Sequence, residues 1–277
     1  MATMPQLTGL AGKVVVVTGA GRMRSIGRQM AIDFGAAGCN VVLTGSGRAR
    51  DQYPDDEITA GWRDIESVAE DVRATGSQAL PLVSDVRDAD AVEDLAKQTL
   101  SVFGRVDFII NNASAARGED RAPVTEVALA PWRNVIETNL FGPFYMCRAF
   151  GRRLVEQGEG GAIVNISSLA GKMMPPTASA YAASKAGLQA LSASMAQEVG
   201  VYGIRVNTIC PGYIDTTRWD LLGRGDEWEE FVRREIPLGR MGRSADISAM
   251  TLFLCSDQGA YVNGQAFNVD GGAVVEH

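Results

Sequence analysis

Tyr181-Ala-Ala-Ser-Lys185 is the stretch of this 277-residue chain whose residue types and spacing most directly suggest chemistry. On a helix, tyrosine and lysine at i and i+4 share one face, about a turn apart. A phenol ordinarily loses its proton near pH 10, too high for an efficient base near neutrality. An ammonium beside it favours the phenolate, and such a pair can pass a proton to or from a substrate oxygen. Alone the spacing is a weak signal, because amphipathic helices produce it by chance. It gains weight from Ser168, which ends the run GAIVNISS and offers a hydroxyl to a carbonyl or alkoxide oxygen. Asn112 closes the run VDFIINNA, and Asn139 lies within TNLFGPF. The single histidine is His277, so neither a Ser-His-Asp triad nor a histidine-rich metal site is expected. Any general acid or base is then a carboxylate, lysine, tyrosine or cysteine.

A second stretch, TGAGRMRSIGR (Thr18–Arg28), follows the apolar run KVVVVTG. A strand, a glycine turn and a helix N-terminus supply unpaired N–H groups and a positive dipole end, which suit a pyrophosphate. The interval from Gly21 to Gly27 is too long for G-x-G-x-x-G, and an ordinary strand-to-helix turn would explain these glycines equally well. An acid at the end of the second strand would bond the 2′-hydroxyl of NAD. That strand instead ends at Gly45, with no acid before Asp51. Arg22, Arg24 and Arg48 lie in the two loops that should meet near the ribose, and guanidinium suits a 2′-phosphate. NADP(H) is therefore favoured and NAD(H) possible, against the alternative that these arginines are solvated loop charges.

Positioning these groups falls to short β-branched runs alternating with longer helical patterns. KVVVVTG, NVVLTG (Asn40–Gly45), QALPLVSDV (Gln78–Val86), VDFIINNA, GAIVNISS, IRVNTICPG (Ile204–Gly212) and QAFNVDGG (Gln265–Gly272) read as strands. The continuous apolar runs suit strands covered on both faces. Helical patterns follow Ser25 and run near Asp64–Ala74 and Ala89–Phe103, as one long helix over Trp132–Val155, and over Ala178–Val199. Strands separated by helices imply βαβ crossovers, hence an α/β, Rossmann-like, doubly wound parallel sheet with helices on both faces. No linker or repeat divides the chain, so residues 1–277 are expected to form one domain. Two segments break the rhythm. Ser46–Trp62 is a polar connection, long for such a unit. Tyr213–Pro237 leaves a strand's C-terminal end, the edge where open α/β sheets bind ligands. It is a candidate substrate lid, although a surface loop with one amphipathic helix fits its composition as well.

Bulk properties narrow the class. With 46% hydrophobic residues the chain can bury a large core. No apolar run reaches the roughly 18 residues of a membrane span, and MATMPQLTGLAG shows no signal peptide. The net charge of −7, with basic residues dispersed, gives no reason to expect nucleic acid. Cys39, Cys147, Cys210 and Cys255 are far apart, as befits buried free thiols in a reducing compartment. A cytoplasmic location is expected.

Taken together, the glycine turn after VVVVTG, Asp85-Val86, NNAS, Asn139, Ser168, Tyr181-x-x-x-Lys185, CPGYIDT and NGQAFNVDGG resemble the short-chain dehydrogenase/reductase family over residues 7–273. The resemblance is to its compact single-domain branch. It implies an NAD(P)-dependent oxidoreductase acting on a secondary alcohol or ketone, with Asn139, Ser168, Tyr181 and Lys185 as a catalytic tetrad. Asn139 would support a water relaying a proton through Lys185. It further implies that Gly19, Ser25 and Ile26 line the phosphates and that Asp85 and Val86 flank the adenine. Asn112 and Ala113 would back the ribose, Lys185 would hold the nicotinamide ribose, and Ile214 and Thr216, after Pro211-Gly212, would engage the carboxamide. A homotetramer is likewise implied by the C-terminal strand.

The chain departs from the family at the glycine loop, where two extra residues precede Ser25, and at Ser114, where glycine is usual. Ser25 can cap the following helix and present its hydroxyl to phosphate. Ser114, Ala115, Met173, Met174, Pro175, Tyr213, Trp219 and Trp228 are candidate pocket residues. Their character suggests an apolar substrate, unless some merely pack the lid. Alternatives are reduction of a carbon–carbon double bond, or a non-catalytic nucleotide-binding regulator of the same fold.

Overall fold

The computed structural model describes residues 7–222 and 225–276. His277 and the first six residues, which carry the start of the MATMPQLTGLAG stretch, lie outside the described residues, as do two positions of the 213–237 segment. The elements run β1 (Val14–Val17), α1 (Ile26–Ala36), β2 (Asn40–Gly45), α2 (Asp55–Thr59), α3 (Ile65–Ala74), β3 (Ala79–Val83), α4 (Ala89–Phe103) and β4 (Phe108–Asn111). They continue as α5 (Leu129–Ile136), α6 (Gly142–Gln157), β5 (Gly161–Ile166), α7 (Ala170–Met173), α8 (Ser179–Val199), β6 (Ile204–Pro211), α9 (Asp226–Glu235), α10 (Ser244–Cys255) and β7 (Ala266–Val269). The strands form one seven-stranded sheet in the order β3-β2-β1-β4-β5-β6-β7, and every paired register is parallel.

The fully apolar β1 shows why such a sheet needs cover on both faces. Val15 and Val17 join one core with Met30 and Phe34 of α1, Val68 and Val72 of α3, and Leu254 of α10. Val14 and Val16 join the opposite core with Leu95 of α4 and Met146, Phe150 and Leu154 of α6. Alternate residues thus point to opposite layers, each fully buried apolar side chain contributing about 1.5–3 kcal/mol over its exposed state. All four cysteines are buried free thiols.

Two elements differ from the sequence expectation. The single helix expected over Trp132–Val155 is interrupted by a π-helical turn, Glu137–Phe141. The reason lies in Pro143, which has no N–H to give the carbonyl of Asn139, four residues back. The widened turn absorbs this break and leaves Asn139 wholly buried. The connection Ser46–Trp62 is also folded rather than irregular, with a 3₁₀ turn at Arg50–Gln52 followed by α2. Pro54 precedes α2, and Asp55, Asp56 and Glu57 fill its first turn, where the helix dipole favours negative charge.

Candidate active site

From β1 the chain crosses to β2 on one side, and from β4 it crosses to β5 on the other. A crevice therefore opens at the carboxyl ends of β1 and β4, where ligands bind in open α/β sheets. The glycine loop forms its floor. Gly19 has φ +68°, and a Cβ there would come within 2.7 Å of the Ala113 Cα. The Thr18 hydroxyl accepts the N–H groups of Asn112 and Ala113 at 3.0 and 3.1 Å. Asn112 returns its amide to the carbonyls of Thr18 and Gly19 at 2.9 and 3.1 Å. These bonds tie the β1 loop to the β4 loop. Ser25 caps α1, its Oγ accepting from the Arg28 N–H at 3.1 Å and donating to the Arg22 carbonyl at 3.0 Å. Its hydroxyl proton is thus already directed at the chain rather than presented to a phosphate.

A cavity of about 560 Å³ runs from this loop toward the far end of the crevice. Gly19, Arg24, Ser25, Ile26 and Asn112 line the first end; Ser168, Tyr181, Lys185, Pro211, Gly212, Ile214 and Thr216 line the other. Three of the four tetrad residues therefore share one wall. Tyr181 and Lys185 stand on the first turns of α8, and Ser168 follows β5 directly. Burial pushes the Tyr181 phenol up, but Arg218, Lys185, the neighbouring Ser168 hydroxyl and Arg121 outweigh it and hold the phenol below its usual value. Lys185 is almost fully buried and donates to the Ile166 carbonyl at 2.8 Å. That burial depresses its ammonium.

Asn139 sits behind the wall rather than in it. Its Oδ1 accepts from the Ala115 N–H at 2.8 Å, and its Nδ2 donates to Ser184 Oγ at 3.2 Å. The side chain therefore clamps the loop after β4 to α8, and both ends of its amide are engaged by protein.

At the adenosine end two of the three arginines are already paired. Arg48 stacks on Tyr53 at 4.6 Å and bonds both Glu57 and Asp64 at 3.2 Å. Arg24 pairs with Asp56 at 3.1 Å and also with Asp220. Arg22 lies in the fields of Arg48, Glu57 and Asp64 and is pushed down chiefly by burial. The Ser46–Trp62 connection folds back onto the glycine loop. Glu57, fully buried, accepts the Met23 N–H at 2.8 Å, and Trp62 donates to the Gly21 carbonyl at 2.6 Å. Asp64 holds a left-handed φ of +52°. Its carboxylate packs against Gly21, where a Cβ would overlap it, and lies 3.2 Å from where a Cβ on Gly45 would be. One oxygen of Asp64 is buried without a partner. An acid thus does reach the end of β2, from the far side of the connection rather than from the strand. Gly45 itself suggested nothing of the kind; Trp62-Arg-Asp64 was the only available hint.

The remaining expectations divide. Ser114, Met173, Pro175, Tyr213 and Trp219 line the cavity, whereas Met174 and Trp228 do not. Trp228 instead packs Trp219 and Phe231, with ring centres 5.7 and 5.4 Å apart. Asp85, Val86, Ala113, Arg22 and Arg48 are also outside its wall. Asp85 is chelated by Arg87, and Val86 packs against Gly142. Sequence reasoning missed Arg117, Arg121, Arg218 and Phe231, all cavity-lining. Arg218 follows the CPGYIDT run by two residues, which is the one signal that could have found it. The segment expected as a lid is anchored in its first third: Ile214 bridges Gly242, and Asp220 meets Arg24 of the glycine loop.

Comparison with known proteins agrees with this geometry. Residues 19–274 match a family model described as enoyl-(acyl carrier protein) reductase. A 3-oxoacyl-[acyl-carrier-protein] reductase of Synechocystis is 33% identical over 270 residues, covering 97% of this chain and 100% of that protein. A 2-dehydro-3-deoxy-D-gluconate 5-dehydrogenase of Escherichia coli is 32% identical, covering 95% and 96%. A solved short-chain type dehydrogenase/reductase from Mycobacterium marinum superposes with a TM-score of 0.83 at 29% identity, covering 96% and 97%. The chain belongs to the short-chain dehydrogenase/reductase family, NAD(P)-dependent oxidoreductases that move a hydride between a nicotinamide and an alcohol or ketone.

Proposed function

We propose that this chain reduces a ketone to a secondary alcohol, or runs the reverse reaction, with Tyr181 as the general acid or base. The observation that carries the reading is that Tyr181, Ser168 and buried Lys185 share the wall of a cavity that reaches the glycine loop. A dinucleotide fits this crevice: the cavity joins the glycine loop and helix N-terminus to the tyrosine. Gly19, Ser25, Ile26 and Asn112 would hold its phosphates and ribose, and Lys185, Ile214 and Thr216 its nicotinamide half. When bound, the nicotinamide supplies or accepts the hydride.

Everything else is work for side chains. Ser168 Oγ accepts the Ala170 N–H at 3.1 Å, which fixes the hydroxyl where it can share a substrate oxygen with Tyr181. In reduction, Tyr181 gives its proton to that oxygen; in oxidation, the phenolate removes it. Arg218 and Lys185 together help to hold the phenol below its ordinary value against the effect of burial. Asn139 positions α8 against the loop after β4. A screen of ketones, alcohols and enones followed by nicotinamide absorbance tests the reading. Turnover of enones without ketones would assign double-bond reduction instead.

The cofactor preference follows from charge. Of the three guanidiniums near the ribose end, Arg24 is already paired with Asp56, and Arg48 with Glu57 and Asp64. A dianionic 2′-phosphate would have to compete with these carboxylates for the guanidiniums, whereas an uncharged ribose hydroxyl would not. NAD(H) is therefore the preferred cofactor, a revision of the NADP(H) expectation. Titration of nicotinamide fluorescence is expected to give tighter binding for NADH, and tighter binding of NADPH would reverse the assignment.

The pH profile supplies a further test. In alcohol oxidation the rate rises as the phenol ionises, and its midpoint should fall below the free phenol's value of about 10. Lys185→Met removes one of the charges that lower it, so the limb should move to higher pH. An unmoved limb would show that another group titrates. The family resemblance also supports assembly into a homotetramer in the cytoplasm as one dinucleotide-binding domain. Light scattering on the purified chain checks the first of these.

A further inference from the structure

Three arginines crowd the substrate half of the cavity. The guanidinium carbons of Arg121 and Arg218 lie 4.7 and 4.6 Å from the centre of the Tyr181 ring, and that of Arg117 lies 5.7 Å from the Trp219 ring. All three line the same cavity as Ser168 and Tyr181. Asp120, itself buried, sits 3.2 Å from Arg121. Among the described residues no carboxylate pairs with Arg117 or Arg218; Arg218 bonds only the Ala115 carbonyl, at 3.2 Å. Arg121 Nε is the atom that faces Asp120, and it makes no aligned hydrogen bond. Packing like charges around one phenol is unfavourable unless anions balance them, and among the described residues Asp120 is the one carboxylate paired with these three guanidiniums. Burial indeed depresses the Arg121 guanidinium, with Arg218 and Arg117 adding to the effect.

We propose that the substrate is an anion, a small keto or hydroxy acid whose carboxylate is held by Arg121 and Arg218 while its carbonyl faces Tyr181 and Ser168. This rests on the ketone–alcohol reading above and replaces the apolar substrate expected from Met173 and Trp219. A guanidinium stacked by its face on an aromatic ring keeps its N–H edge for a planar, two-oxygen acceptor. Two such groups flanking the acid–base residue set the anion and the reacting carbonyl in one molecule of a few carbons. Arg117, on Trp219, adds a third positive charge at the rim. Reduction is balanced within the site: the hydride goes to the carbonyl carbon, the Tyr181 proton goes to its oxygen, and the carboxylate leaves unchanged in the hydroxy acid.

The test compares 2-oxo and 3-oxo carboxylic acids of three to eight carbons with their methyl esters and with phosphate monoesters of matching hydroxyketones. In the wild-type enzyme with NADH, kcat/KM for an acid should exceed that of its ester. In Arg121→Gln and Arg218→Gln this acid-to-ester ratio is expected to fall about ten- to hundredfold, the loss of one charged hydrogen bond. Arg121→Lys and Arg218→Lys should restore part of it. Calorimetry on the wild-type enzyme with NAD gives a readout free of turnover and of variant folding: succinate should bind and compete with the ketone acid, and inorganic phosphate should bind more weakly. Esters matching acids in the wild type, a ratio unmoved by either glutamine variant, or succinate that does not compete would each overturn the proposal. A preference for the phosphate esters overturns the carboxylate in favour of phosphate. The ketone–alcohol reading fails separately, if neither acids nor esters are turned over.

Discussion

Tyr181→Phe is expected to lower kcat by roughly 10²–10⁴-fold, the usual contribution of a positioned acid–base group, while cofactor binding persists. The variant removes one oxygen and keeps the ring on which Arg121 and Arg218 stack. The fold and the cationic wall should therefore survive. What is lost is the proton that neutralises the developing alkoxide. That interaction exists chiefly in the transition state, so kcat and kcat/KM should fall together rather than KM rising alone. Fluorescence titration with NADH provides the control. Unimpaired turnover in a variant that still binds NADH would remove Tyr181 from the mechanism, and with it the reading of the whole wall.

The proximity of Tyr181, Ser168 and Lys185 was readable because each stands next to a feature with a strong local pattern. Ser168 ends an apolar run, and the tyrosine and lysine occupy one helix face, so a parallel sheet brings them to the same edge. The sheet was equally readable, since strands such as Val14–Val17 are apolar at every position and can only be central. Other features arise from pairings distant in sequence. Arg121 lies in a loop and Arg218 in a short 3₁₀ turn, neither with a periodic pattern, and the folded sheet brings both to Tyr181. Arg24 and Arg48 were sound candidates for a phosphate as isolated loop charges. Their carboxylate partners come from α2, the turn before α3 and the lid segment, none of which any motif links to the glycine loop. The π turn at Asn139 was in principle visible through Pro143, yet the helical pattern on either side concealed it. In each case local propensity was legible, whereas long-range charge pairing was not.

Asp107→Ala should destabilise the protein by about 3 kcal/mol, the lower end of the range for breaking a buried ion pair. The residue stands just before β4, with its side chain 4% exposed, at the sheet edge opposite the crevice. Its carboxylate accepts the Val14 N–H at 2.9 Å, the Lys13 ammonium at 3.1 Å and two nitrogens of Arg105. Its backbone meanwhile joins Val14 and Ala162. One side chain thus aligns the starts of β1, β4 and β5, whose opposite ends carry Gly19, Asn112 and Ser168. Alanine would strand the buried Val14 N–H. Lys13 and Arg105 are each about one-third exposed, at 33% and 31%, and can rehydrate, which keeps the loss near the low end. The pH dependence has a definite sign. Burial raises the Asp107 carboxyl, but Arg105, the Val14 N–H and Lys13 outweigh it and hold it below its ordinary value. A group depressed in the fold stabilises above its unfolded value, about 3.9 for aspartate, and loses that contribution as pH falls through the folded value. The gap between wild type and variant in urea unfolding should therefore be full at pH 7 and shrink below about pH 4. A gap that is constant across that range would mean the carboxylate is not what joins these strands, and the alignment of the crevice would need another cause.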